Sequence, residues 1–459
     1  MRIKLSIPFR LSDFNIRGIS DRISDISVLS NQITHICTDS RMAMQNDLFI
    51  ALKGSRFNGN LFIGDAIRKG CVTIGEIGYG AHIETSDIES TLLGIAKEYL
   101  SLFRNLKSII AITGSVGKSS TKEFLKKIIG HKYNVHANHG NFNNFIGLSH
   151  TIFSMPHDTE YLIAELGMNH RYEISKMSKC ISANIGIITN IGTAHIGHLG
   201  SRYEIAEAKK EICDGISDGI ILIPPSEPLL SSISNSHTVG LNTSLSKFSL
   251  CENEDGSFSY TSPYGRIDAL SIHISSEHMQ KNISIAIAAC LNLNLSIEDI
   301  RNGILMISES DLRQRFIHLD NFSIFDDSYN ASAESVLADL QFMKKSYSNR
   351  PLGVFLGDIE ETGDKSIGIQ TELGKSIAGY GISSFYLIGR YAEVTAAGAI
   401  AMGFNPERIF INSNSDNKNL SIAQIEQNHL PSEMILFKAS HKHRLDLIAD
   451  EIAKRKETQ

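Results

Sequence analysis

The chain has 459 residues, 42% of them apolar and 20% charged, with a formal net charge of −6. This length predicts about two to four domains with ample core. The charge carries no nucleic-acid footprint, and no apolar run reaches the roughly 18 residues needed for a transmembrane segment. The six cysteines are scattered without a C-x-x-C pair. That usage points to buried thiols in a reducing, cytoplasmic setting rather than to disulfides or zinc.

The opening MRIKLSIPFRLSDF is basic but lacks a sustained apolar core, and reads as mature sequence rather than a signal peptide. Residues 1–107 form a first predicted domain. A strand is expected at Leu48–Leu52, and helical patterns follow at Leu61–Lys69 and Ser90–Phe103. Asp39-Ser40-Arg41, taken alone, is a simple polar turn.

A second domain is expected over 108–310. It opens on SIIAITGSVGKSSTKEF, residues 108 to 124. Ile109 to Ile112 read as a strand and Thr113 to Gly117 as a small-residue loop. From Lys118 a helical pattern of Phe124, Leu125, Ile128 and Ile129 runs to Gly130. Strand, Gly-rich loop and helix form the context of a phosphate-binding loop. Gly114 and Gly117 let the backbone of Ser115 and Val116 turn tightly around a polyphosphate. Lys118 adds a point charge, and the hydroxyls of Ser119 and Ser120 lie beside it, Ser119 placed to hold Mg²⁺.

Further along, YLIAE (161–165) and IGIITN (185–190) are apolar runs ending in polar residues, the grammar of a mostly parallel sheet. Glu165 and Asn190 then fall on the strand C-terminal rim with the phosphate loop. Glu165 there either ligates a metal or caps the next helix. His195, in NIGTAHIGHLG, is a metal or phosphoryl ligand or a solvated loop residue, and His198 competes with it. Ser201 and Glu204 make an S-x-x-E capping box, so a helix starts near Arg202. Its spacing puts Ile205, Ala208, Lys209 and Ile212 on one face and turns Lys210 away by about 100°. Lys209 on an apolar face either snorkels to solvent or is buried with a lowered pKa, and a neutral amine can take up CO₂ as a carbamate. The Ser- and Gly-rich stretch 215–275 reads as a subsidiary β region without evident chemistry.

A third domain, 311–459, repeats the α/β pattern at GVFLGD (353–358), SFYLIG (384–389) and MILFKAS (434–440). FDDSYNAS (325–332) follows a strand. Asp327 and Asn330 there are placed to contact a ribose or base and Tyr329 to pack on it, unless the segment is a plain strand-to-helix turn. The basic turn after MILFK, with Ser440, His441, Lys442 and Arg444, is either a seat for a carboxylate or a solvated loop.

These segments together resemble the Mur ligases, ATP-dependent amide-bond ligases of peptidoglycan synthesis. The resemblance rests on TGSVGKSSTKE, GNFNNFIG (140–147), AELGMNH (164–170), TNIGTAHIGHLGS, EIAEAKKEI (204–212), HMQKN (278–282) and DDSYNAS, in this order over nearly the whole chain. It implies an α/β fold of three domains: an N-terminal UDP-sugar-binding domain, a central P-loop ATP-binding parallel-sheet domain, and a C-terminal Rossmann-like domain for the incoming amine. Within the family, GNFNNFIG, Asp327-x-Tyr329-Asn330-Ala331 and LGDIEETG (356–363) resemble the branch that adds D-alanyl-D-alanine to UDP-N-acetylmuramoyl-tripeptide through an acyl phosphate.

The resemblance implies roles position by position. Lys118 and Ser119 hold ATP phosphates and Mg²⁺, Glu165 and His195 bind metal, and Lys209 is carbamylated. Asn282 contacts adenine, Asp327 contacts ribose, and Arg313 reaches the ATP phosphates, with Arg315 close enough to confuse the match. Ser40 and Arg41 contact UDP, Asn143 and Asn144 belong to the substrate loop, and Ser440 to the dipeptide site. It also implies a cytoplasmic monomer. Departures from the family pattern fall at Asn58-Gly59-Asn60, Ser276, Ala331-Ser332-Ala333 and Lys438-Ala439-Ser440-His441. They bear on contacts to the UDP-sugar and the dipeptide. Two other functions remain open at this point: a family member adding a diamino acid or glutamate, and a nucleotide-binding scaffold without catalysis.

Overall fold

The computed structural model describes residues 1–459 except 55, 56, 226, 275, 309–314, 329, 330, 361, 458 and 459. Three large sheets follow one another along the chain. The first orders its strands Arg2–Arg10, Gln32–Cys37, Asp47–Ile50, Val72–Glu76, Ile83–Thr85 and Arg22–Ile23. The central sheet runs Val135–Ala137, Tyr161–Glu165, Ser108–Thr113, Ile185–Ile188, Ile220–Ile223, Ser236–Leu241, Phe248–Glu252, Phe258–Ser262 and Gly265–Leu270. Its pairs are parallel as far as Phe248–Glu252, and the last two are antiparallel. The 215–275 stretch is therefore no separate β region: it extends the central sheet to its edge. The third sheet runs Arg315–His318, Phe322–Asp326, Glu433–Lys438, Leu352–Gly357, Ser384–Ile388 and Ile409–Asn412, all parallel but for the first pair.

The central strand Ser108–Thr113 is buried at all six positions, as a parallel strand covered on both faces requires. Its helix, Lys118–Gly130, buries Phe124, Leu125, Ile128 and Ile129, the face given by the spacing. All six cysteines are free thiols, four of them buried.

The two junctions between the sheets differ in kind. Helix Ile88–Leu100 carries Tyr99 against Phe103 and Phe153, and one apolar core runs unbroken from the first sheet into the central one. The Tyr99 hydroxyl accepts the Ile7 N–H at 3.2 Å, so its polar end is satisfied. The cores of the third sheet stay within their own segment. That segment meets the central one through polar and backbone contacts. The Thr193 N–H donates to Glu334 Oε1 at 2.8 Å, and the Lys365 ammonium donates to the Gly200 carbonyl. Gly197 lies against the backbone of Thr362 and Gly363, where an added Cβ would stand 2.3 Å from the Gly363 nitrogen.

Candidate active site

The phosphate loop leaves the central strand through Gly114 (φ +145°) and enters its helix through Gly117 (φ +85°). A Cβ on Gly114 would fall 1.8 Å from Thr189 Oγ1, and one on Gly117 2.5 Å from Asn282 Oδ1, so side chains are excluded at both. The neighbouring strand end braces the loop. Asn190 Oδ1 accepts the Val116 N–H at 2.8 Å, and Ser115 Oγ accepts the Gly192 N–H at 2.9 Å. No side chain caps the helix, so its positive end is presented to an anion. The Lys118 ammonium folds back to donate to the Gly114 carbonyl at 2.7 Å. Residues Ser115 to Ser120 line a cavity of about 1110 Å³, and Gly114 is not among the lining residues.

Glu165, at the end of the adjacent strand, is 2% exposed and reaches the same cavity. Ser119 Oγ donates to its Oε2 at 2.8 Å, and Asn143 Nδ2 donates to its Oε1 at 3.0 Å. Asn138 clasps its backbone, accepting the Glu165 N–H at 2.6 Å and donating to the Glu165 carbonyl at 3.2 Å. The fully buried Lys122 donates to the Asn138 carbonyl at 2.9 Å and stands 3.9 Å from Glu165 Oε2. Lys122 and Asn138 are additions to the sequence-derived set. The signal for Lys122 lay in the helix period, which puts it on the face of Leu125 and Ile129. Asn144 also lines the cavity, but its side chain accepts the Gly147 N–H at 2.8 Å and caps helix Phe145–Phe153.

His195 holds a left-handed conformation (φ +66°) at the cavity wall. His198 is exposed and packs edge-on against His170, away from the lining. Helix Arg202–Lys210 starts on Ser201, whose hydroxyl accepts the Glu204 N–H at 3.1 Å. Lys209 is 1% exposed among buried Ile205, Ala208 and Ile212. Burial pushes its amine well below the ordinary lysine range, and the nearby Lys118 charge adds to the effect. It is not among the residues lining the cavity. Lys210 is turned off that face, though its ammonium is only partly exposed, donating to Glu207 Oε1 at 2.7 Å and Ser232 Oγ at 3.0 Å.

The third segment supplies the facing wall through Asp327, Glu360, Lys438, Ser440 and Lys442. Asp327 pairs with buried Lys438, which also binds Asp339 Oδ2 at 2.7 Å, and His278 approaches Asp339 at 3.7 Å. Burial pushes the Asp327 carboxyl up to about 7. Burial opposes the Lys438 charge, but the two aspartates outweigh it and its pKa is raised. Arg444 pairs with Asp446 at 2.9 Å and is not a lining residue. Ser40 and Arg41 are also away from this cavity: the Arg41 guanidinium binds Asp39 at 2.7 Å and the Ser40 carbonyl accepts from Lys69 at 2.6 Å. Arg313, Tyr329 and Asn330 lie outside the described residues, whereas Arg315 is held by Asp326 and Asp450. The 215–275 stretch, silent in sequence, contributes Val239, Gly240, Leu241, Thr243 and Leu245 to the cavity wall.

A phosphate loop and a buried acidic strand end, facing a second α/β unit across one cleft, mark a nucleotide-dependent enzyme that works on a second substrate. Comparison with known proteins narrows this class. Residues 112–290 match the family described as Mur ligase middle domain. The UDP-N-acetylmuramoyl-tripeptide–D-alanyl-D-alanine ligase of Bacillus subtilis strain 168 is 31% identical over 430 residues, covering 91% of this chain and 92% of that protein. A crystal structure of MurF from Acinetobacter baumannii superposes with a TM-score of 0.84 at 26% identity, covering 98% of this chain and 100% of that one. MurF ligase from Thermotoga maritima, crystallised with ADP, has a TM-score of 0.73 at 21% identity over 92% of this chain and 98% of that one, and speaks to the fold alone. The chain belongs to the Mur ligase family.

Proposed function

We propose that this protein joins D-alanyl-D-alanine to UDP-N-acetylmuramoyl-tripeptide at the expense of ATP. The observation that carries this reading is the single cavity. Phosphate-loop residues line one wall and Ser440 and Lys442 of the third segment line another, so activation and amine transfer share one space. The γ-phosphoryl group of ATP passes to the terminal carboxylate of the tripeptide, leaving ADP and an acyl phosphate. The dipeptide nitrogen then forms a bond to the acyl carbon, the bond from that carbon to the phosphate oxygen breaks, and phosphate and a proton leave. Lys118, released from the Gly114 carbonyl, neutralises charge on the transferring group. Most of the catalysis asked of the chain is positioning of three substrates.

The residues present fit Mg²⁺. Ser119 and Glu165 offer hard oxygen donors already 2.8 Å apart, and Asn143 fixes the remaining carboxylate oxygen. His195 and a carbamylated Lys209 complete the proposed set, the carbamate favoured by an amine whose charged form burial disfavours. When bound, Mg²⁺ supplies positive charge to the phosphate oxygens. Asn282 and Asp327 are proposed for the base and ribose, and Ser40 with Arg41 for the UDP group. Segments 1–107, 108–310 and 311–459 are proposed as the UDP-sugar, ATP and amine domains of a cytoplasmic monomer. No helix among the described residues is long and apolar enough to cross a membrane.

The test is phosphate release by the full chain with ATP, Mg²⁺ and UDP-N-acetylmuramoyl-tripeptide across a panel of amine acceptors. Release dependent on D-alanyl-D-alanine is expected. Release driven by a diamino acid or glutamate instead, or by none of the acceptors, overturns the assignment.

A further inference from the structure

We propose that Glu360, backed by Ser440, His443 and Asp358, is the seat of the acceptor's protonated amine. The inference rests on the ligase reading above and names a subsite within it. Strand Leu352–Gly357 ends directly before Asp358 and Glu360, on the rim where ligands bind such sheets. Glu360 lines the same cavity as the phosphate loop.

Asp358, Glu360 and His443 bring one ligand atom each to within 4.8 Å of one another. His443 Nε2 stands 3.8 Å from Asp358 Oδ2 and 4.0 Å from Glu360 Oε1. Its ring is 4% exposed, and neither ring nitrogen has a hydrogen bond among the described residues. A polar ring buried in this way is costly unless a ligand or water completes it. The surroundings hold the cluster in place. Asp358 accepts the Arg390 and Tyr391 N–H groups at 2.8 and 3.0 Å, and Ser440 Oγ accepts the Glu360 N–H at 3.0 Å.

The chemistry of the cluster favours an ammonium over a metal ion. Both Asp358 oxygens are held by backbone N–H groups that cannot turn away, unlike the rotatable Ser119 hydroxyl on Glu165, which leaves a poor oxygen set for a hard cation. A primary ammonium is already at the site: Lys442 Nζ donates to Glu360 Oε1 at 3.2 Å. The Lys442 side chain is 76% exposed, and exposed pairs of this kind are weak. A substrate ammonium can therefore replace it, and the displaced lysine, also on the cavity wall, is then available to the acceptor's carboxylate.

The experiment uses the full chain and the amine that the wild type prefers in the acceptor panel. E360Q is expected to raise KM for that amine at least about tenfold, the loss of a charged hydrogen bond. KM for ATP and for the nucleotide-linked tripeptide should stay within about twofold, which also reports a folded variant. E360D should recover part of the loss, and H443A should raise the same KM. An N-acetylated form of the acceptor, lacking the ammonium, should fail to compete in the wild type. An unchanged amine KM in E360Q, a change confined to the Mg²⁺ dependence, or effective competition by the N-acetylated form would overturn the proposal. A wild type that prefers another amine counts against the D-alanyl-D-alanine assignment and leaves the amine seat to be tested with that amine.

Discussion

Replacing Lys209 by Met separates its chemistry from its packing. The side chain is 1% exposed and packs with Ile205, Ala208 and Ile212. Met keeps most of its length, so the fold should lose less than about 1.5 kcal/mol. Removing an amine that burial already disfavours as a cation offsets part of even that. Ala at the same place opens a cavity, with a cost of about 2–5 kcal/mol. If the Lys209 carbamate serves the metal, both variants lose a ligand that fixes the cation serving the transferring phosphate, a loss of about 10²–10³ in kcat by analogy with other preorganised electrostatic groups. Melting temperature and phosphate release measured side by side should show Lys209→Met nearly inactive while its stability stays within about 1.5 kcal/mol of the wild type. Acetate or formate should partly restore Lys209→Ala by filling the vacated place. Lys210→Ala is the control: its bond to Glu207 is an i, i+3 pair worth about 0.3–0.5 kcal/mol, and activity should persist. A Lys209→Met protein with full turnover, or a Lys210 variant that fails in its place, refutes the reasoning.

Lys118→Ala should abolish turnover with little change in the melting curve, since the ammonium donates to the loop carbonyls of Gly114 and Ser115, whose backbone is also held from the neighbouring strand end; near-normal phosphate release by the folded variant removes this lysine from the mechanism. The two neighbouring asparagines should behave differently. Asn144→Ala should cost about 1 kcal/mol of stability through a lost helix cap, whereas Asn143→Ala, which frees Glu165 Oε1, should raise the Mg²⁺ concentration needed for half-maximal rate. Equal effects of the two on the Mg²⁺ requirement would contradict this division. Burial holds the His278 imidazole down to about 4, from 6.5 when free, with Asp327, Asp339 and Glu277 on one side of the balance and Lys438 and Lys281 on the other. Its folded-state pKa lies below the free value, so its contribution to stability is complete above about pH 6.5 and is lost as the pH falls toward 4. Thermal melts of His278→Gln should show a shallower decline across that window, and parallel curves would count against a neutral imidazole at this half-buried position.

The parts of the site that are local in the chain could be read from it. The phosphate loop needs only a strand, two glycines and a helix in succession, and the phase of Lys209 follows from helical geometry over eight residues. Lys122 obeys the same period and was legible in principle, but a lysine beside a phosphate loop draws attention to Lys118 first. Asn143 and Asn144 are identical side chains in adjacent positions. Which one caps the helix and which reaches Glu165 is decided by where the backbone turns, not by composition. The edge strands of 215–275 had to await the structure because their partner is a sheet begun a hundred residues earlier. The cluster of Asp358, Glu360 and His443 joins residues more than eighty apart, brought together only when Leu352–Gly357 and Glu433–Lys438 pair as neighbours.

The backbone contact at Gly197 carries a consequence for distance. Ordinary contact begins near 3.4 Å, and a Cβ there would stand 2.3 Å from the Gly363 nitrogen, so one methyl group would hold the third unit off by about an ångström. The two glycines act as a gauge. They set how near the third unit comes to the central one, and neither of them lines the cavity. Because a misplacement of about 1 Å can cost about a hundredfold in rate, side chains added at 197 or 363 are expected to slow phosphate release without entering the cleft.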